Sequence, residues 1–146
     1  LGDVYKRQVR AVSAITHAHW ISTEACVMFV RILDDLMDGE CLEDAIARNM
    51  PGNERFAFLR DLADMPRDAV KSSGFVLDTL GAALWCALHT SNFSDCVLTA
   101  VNLGDDSDTT GCVAGVLAGA MYGYESIPAE WVDALRGREL IEQYLF

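Results

Sequence analysis

Three carboxylates and two hydroxyls crowd one short stretch of this chain. Asp105, Asp106 and Asp108 fall within four residues, followed at once by Thr109 and Thr110. Like charges this close disfavour one another's ionisation, so something must offset the repulsion. One candidate is the positive end of a helix beginning at Thr109 or Thr110, with Asp106 or Asp108 as its N-cap. The other is a bound divalent cation, because hard cations take carboxylate and hydroxyl oxygens. These residues alone leave both open. An EF-hand loop is excluded: Asp106, Asp108, Thr110 and Gly111 match its positions 1, 3, 5 and 6. Its position 12, however, is Leu117, where a bidentate Glu is required.

The elements that must position this loop are helical. Immediately after it, Gly111, Gly115, Gly119 and Gly123 recur at every fourth residue, with Ala114 and Ala118 beside them. A helix here has one face nearly bare of side chains. Each interior Gly costs about 0.5–1 kcal/mol relative to Ala, so close approach of another backbone is the expected compensation. A membrane-spanning GxxxG helix is not expected. The apolar run over 111–124 is 14 residues long, against roughly 18–20 needed to cross a bilayer.

Elsewhere the apolar positions repeat with helical period and no segment sustains strand alternation. Residues 21–37 place Ala25, Met28, Phe29, Ile32, Leu33 and Leu36 on one stripe, stopped by Gly39. Residues 42–48 read as a short helix, and Pro51-Gly52 breaks the chain. Asn53 caps a segment carrying Phe56, Phe58, Leu59 and Leu62, and residues 76–88 form a strongly apolar helix. Asn92 with Asp95 opens another helix, and Pro128 restarts the chain before Trp131, Leu135, Leu140 and Ile141. The reading is all-α, one domain, with roughly seven to nine helices.

Composition narrows the function. Eleven basic against 22 acidic residues leave a formal charge of −11, which argues against direct nucleic-acid binding and against anionic membranes. Five cysteines, an odd number without a CxxC, read as reduced, buried thiols of a cytoplasmic chain. Cys86 and His89 form a lone C-x-x-H, too little for zinc. Residues 1–8 (LGDVYKRQ) have no periodicity continuing into Val9 and look like a translated adapter remnant, with no signal-peptide pattern. That leaves 9–146 as the natural part, expected to be a fragment.

Residues 101–123 (VNLGDDSDTTGCVAGVLAGAMYG) closely resemble the C-terminal signature of the ADP-ribosylglycohydrolase family, which includes dinitrogenase-reductase-activating glycohydrolases. Three further segments resemble family elements in the same order: 13–17 (SAITH), 74–85 (GFVLDTLGAALW) and 127–131 (IPAEW). The likeness runs from about Val9 to the end of the chain.

The resemblance implies an all-α orthogonal helical bundle, truncated at its N-terminus, that holds two Mg²⁺ or Mn²⁺ ions when complete. It makes Asp106 and Asp108 carboxylate ligands and Thr109 a hydroxyl ligand. The remaining ligands, and a Glu acting as general base, belong to an N-terminal half of the same domain. It places His17 near bound ADP-ribose and Phe75 where an aromatic ring stacks on the nucleotide. The implied reaction is hydrolysis of the glycosidic bond between ADP-ribose and a protein side chain or small acceptor, with the fragment alone inactive. Two positions depart from the family pattern: Asp105 stands where a second Gly is common, and Trp20 where a Pro often follows the His. The competing expectation is a non-catalytic helical interaction module whose acidic loop is only a helix cap.

Overall fold

The computed structural model describes residues 2–145; Leu1 and Phe146, the outer ends of the two segments drawn from the sequence, lie outside them. Among the described residues eight α-helices follow in order: α1 (Asp3–Ser13), α2 (Trp20–Met37), α3 (Leu42–Asn49), α4 (Val76–Leu88), α5 (Phe93–Val101), α6 (Ser107–Tyr122), α7 (Ala129–Asp133) and α8 (Arg138–Leu145). There is no strand among the described residues, and the fold is the all-α bundle that the periodicity requires. No helix among them is long and apolar enough to cross a membrane. Helix α1 runs unbroken through the Gln8–Val9 junction, where the sequence suggested a break in pattern.

Helix α4 is the central rod. It is apolar on every face, and each residue from Leu77 to Ala87 is buried except Asp78. Around it pack α2, α5, α6 and the segment Glu54–Asp64. That segment is an 11-residue 3-10 helix, long for its type. Its sequence explains the choice: Phe56, Leu59 and Leu62 are its buried residues and recur at the three-residue period of a 3-10 turn. Asn53 caps it by accepting the Arg55 N–H at 3.0 Å. The core includes Met28, Ile32, Phe56, Leu84 and Leu117, and burying such a side chain contributes about 1.5–3 kcal/mol.

Several local readings hold. Gly39, with φ +89°, stops α2, and Asn92 accepts the Asp95 N–H at 2.8 Å to open α5. Others need correction. The stretch after Pro128 divides into α7 and α8, in which Trp131 packs edge-on against Phe93 while Leu135, Leu140 and Ile141 are exposed. All five cysteines are free, but only Cys86 and Cys96 are buried, and Cys41 and Cys112 are exposed. The ring nitrogens of His89 face the carbonyl oxygens of Trp85 (2.8 Å) and Ala63 (3.1 Å), so this C-x-x-H braces the backbone.

The glycine face also differs from expectation. A Cβ on Gly111 would lie 2.7 Å from a Val101 methyl, and one on Gly115 would lie 3.7 Å from a Val97 methyl. A Cβ on Gly119 would meet nothing within 4 Å. The face therefore meets valine side chains of α5 over its first half, and no described backbone atom of another element lies within 4 Å of a Cβ built on Gly111, Gly115 or Gly119.

Candidate active site

Helix α6 begins at Ser107, two or three residues earlier than the Thr109 or Thr110 that the sequence suggested, and Asp106 occupies its N-cap position. The turn that delivers it is left-handed at Gly104 (φ +92°) and at Asp105 (φ +49°). The latter is a strained conformation for a residue with a Cβ, at the position where the family pattern favours a second Gly. Placing Asp108 inside the first turn aims the amide dipoles of α6 at both acids.

Asp106 does not spend its carboxylate on those amides, for it makes no side-chain capping bond. Its Oδ1 instead accepts from the Thr109 hydroxyl at 2.8 Å. Asp108 is held below the usual carboxylate range, first by the side chain of Asp106 and then by the backbone N–H groups of Thr109 and of Asp108 itself.

A second loop braces this one. The Asp106 N–H donates to Ser72 O at 3.0 Å, and Ser72 Oγ donates to Gly104 O at 3.2 Å. Arg67 Nη2 donates to Asn102 O at 3.0 Å. The same loop leads into α4: the Ser73 hydroxyl donates to Asp78 Oδ2 at 2.6 Å and accepts the Phe75 N–H at 3.2 Å.

A cavity of about 580 Å³ opens beside these starts. His17, Phe75 and Thr109 all line it, so three of the sequence-selected residues come together. Asp106 adjoins the cavity through Thr109 and through Gly74, whose missing Cβ would sit 3.2 Å from Asp106 Oδ2. Asp108 is exposed and is not part of the lining. Phe75, the N-cap residue of α4, is 47% exposed, as suits a ring available for stacking.

Sequence reasoning passed over one wall. Ser22, Cys26 and Phe29 line the cavity from one face of α2, and Thr79 does so from α4. Their spacing of four and then three residues was the available signal. The starts of α2, α4 and α6 therefore converge on a single cavity. The first turn of α2 carries no acid, whereas that of α6 carries Asp108.

As a cation site, the α6 start has the right oxygens. The Asp106 carboxylate is free of the backbone, the Thr109 oxygen keeps lone pairs after donating its proton, and Gly74 leaves room at Oδ2. The set is partial, since the described residues contain no group of three or more His, Cys, Asp or Glu side chains able to hold a metal.

An all-α bundle with a ligand-sized cleft at converging helix starts, two of which (α4 with Asp78 and α6 with Asp108) carry an acid in the first turn, defines a helical scaffold with a candidate binding cleft. The family model for ADP-ribosylglycohydrolase matches residues 3–145, and the chain belongs to that family. It is 39% identical over 132 residues to the ADP-ribosylarginine hydrolase Tri1 of Serratia proteamaculans (strain 568), covering 88% of this chain and 36% of that protein. It is 36% identical over 131 residues to the ADP-ribosyl-[dinitrogen reductase] glycohydrolase of Rhodospirillum rubrum, covering 87% of this chain and 42% of that one. A solved structure, an ADP-ribosylglycohydrolase-related protein complex, superposes with a TM-score of 0.80 at 31% identity, over 97% of this chain and 51% of its own. The chain thus spans well under half the length of these two curated relatives.

Proposed function

We propose that this chain supplies the acidic-loop portion of a hydrolase that cleaves the glycosidic bond between ADP-ribose and an acceptor. The observation that carries the reading is the convergence of three helix starts, with His17, Phe75 and Thr109, on one cavity. Two relatives named for ADP-ribosylarginine and for ADP-ribosyl dinitrogen reductase favour an ADP-ribosylated protein as substrate over a small conjugate. The setting that suits such a substrate and the reduced thiols is cytoplasmic.

Each part of the cleft has a task. The acid-free start of α2 presents N–H dipoles suited to a diphosphate, whereas the first turn of α4 already carries Asp78. Phe75 stacks on the nucleobase, and His17 hydrogen-bonds the ligand beside it. Asp106 and Asp108 concentrate negative charge near the ribose, which stabilises an oxocarbenium-like transition state. The same two carboxylates with the Thr109 hydroxyl are the residues that would hold Mg²⁺ or Mn²⁺. A bound ion of this kind supplies Lewis-acid and templating chemistry. No side chain of this chain is assigned as general base, and with a partial ligand set the chain alone binds without turnover.

Calorimetric titration with ADP-ribose, with Mn²⁺ and then with EDTA, tests this. Binding should weaken at least about tenfold on chelation and in Asp108→Asn. Absence of binding under both conditions overturns the reading, and release of arginine from ADP-ribosylarginine by this chain alone overturns its inactivity.

A further inference from the structure

Two histidines line the same cavity, and their surroundings treat them differently. His19 is the N-cap residue of α2, and its Nδ1 accepts the backbone N–H of Ile21 at 3.3 Å. A ring nitrogen that accepts bears no proton, so the neutral ring keeps its proton on Nε2. His17 is not fixed in this way. Its Nδ1 faces the Thr16 hydroxyl at 3.0 Å, and a hydroxyl can give or take that hydrogen bond.

The remaining polar side chains of the wall are largely committed. The Thr79 hydroxyl donates to Ser73 O at 3.2 Å, and the Thr109 hydroxyl donates to Asp106. Much of the rest of the lining is apolar, including Ile21, Phe29, Val76, Leu80 and Val113. An anionic oxygen entering such a wall must find a donor or forfeit its hydration. Beside the weakly donating Cys26 thiol, the side chains left to provide one are His17, His19 and Ser22, and only His19 has its donor fixed in advance.

We propose that His19 is a specificity-determining residue that donates its Nε2–H to an anionic oxygen of the bound ligand, the diphosphate of ADP-ribose. This rests on the reading of the cavity as an ADP-ribose site. The N-cap bond sets the tautomer at no cost when the ligand arrives, so the donor is preorganised. His17, two residues earlier, adapts to whichever group it meets.

The test separates the cap from the donor. His19→Asn keeps an N-cap acceptor for α2 but lacks the reach of Nε2, whereas His19→Gln places an amide nitrogen near the Nε2 position. Titrations with ADP-ribose and with adenosine, together with thermal unfolding, are compared across wild type and both variants. The expected result is that His19→Asn melts like wild type, loses ADP-ribose affinity at least about tenfold, and leaves adenosine unaffected. His19→Gln should regain part of the loss. Equal ADP-ribose affinity in wild type and His19→Asn overturns the proposal, as does a loss of the same size for both ligands. Failure of wild type to bind ADP-ribose overturns the site reading and this role with it, which distinguishes the two failures. Imidazole ¹⁵N spectra of the wild-type chain give a readout independent of any variant. Nε2 of His19 should be protonated and should shift with ADP-ribose but not with adenosine, and a protonated Nδ1 on His19 overturns the assignment.

Discussion

Gly74 and Asp106 meet where the loop before α4 faces the start of α6. A Cβ on Gly74 would lie 3.2 Å from Asp106 Oδ2, tighter than ordinary contact. The missing methyl group lets the carboxylate sit against the loop while its other oxygen receives the Thr109 hydroxyl. A glycine in one element thereby sets where an acid of another can stand.

Gly74→Ala should therefore act on the site more than on the fold. Gly74 is exposed, so stability should change by no more than about 1 kcal/mol. Mn²⁺ affinity should fall roughly tenfold, as when a group supporting a ligand is disturbed. Electron paramagnetic resonance of free Mn²⁺ in a titration measures it, and unchanged affinity would show that Asp106 can shift without consequence.

Thr110 is fully buried, and its hydroxyl has no hydrogen-bond partner among the described residues. An orphaned buried hydroxyl carries a desolvation penalty, and Val has nearly the same shape without the polar atom. Thr110→Val should stabilise the chain by about 1–2 kcal/mol. A urea midpoint that moves down instead would reveal a partner for the hydroxyl.

Burial pushes the Cys86 thiol up to about 12, with the neighbouring Cys96 adding to the effect and Arg67 opposing it. An unfolded thiol ionises near pH 8.5. Between those values the unfolded chain holds fewer protons than the folded one. The contribution to stability is thus complete below about pH 8.5 and is lost as pH rises towards 12. Denaturation midpoints should fall steadily across this range, and less steeply in Cys86→Ala. Iodoacetamide at neutral pH should label Cys41 and Cys112, which are exposed, and spare Cys86 and Cys96.

The glycines of α6 should respond in opposite directions. At Gly111 a new methyl would lie 2.7 Å from Val101 Cγ1, on a stiff β-branched side chain, so Gly111→Ala should cost about 1–3 kcal/mol. At Gly119 the space is open, and Gly119→Ala should gain about 0.5–1 kcal/mol from helix propensity. Thermal unfolding of the two variants side by side decides it; equal effects would refute the contact pattern of this face.

Much of this was legible in the residues. Helical period, Asn53, Asn92 and Gly39 mark elements through local chemistry that acts within a few positions. Thr109, His17 and Phe75 could be selected through the family resemblance, and the structure brings them to one cavity. Less legible was anything decided by partners distant in the chain. The Asp106 amide at the start of α6 is held by Ser72, 34 positions earlier, and nothing local announces that bond. The wall made by Ser22, Cys26 and Phe29 was masked because Phe29 reads as part of the apolar stripe of α2 and the other two adjoin it. The role of Gly74 depends on an approach between loops that one-dimensional patterns do not contain.

The bonds from Arg67 and Ser72 to the 102–106 turn have a mechanical corollary. They tie the approaches to α4 and α6 into one stiff jaw, so Phe75 and Thr109 keep their spacing when the pocket fills. The opposite jaw, the short turn carrying His17 and His19, has no such crosslink to the stiff one among its described hydrogen bonds. Any adjustment to ligands of different bulk is therefore expected at the histidine side of the cleft, with the acid-bearing side serving as an anvil.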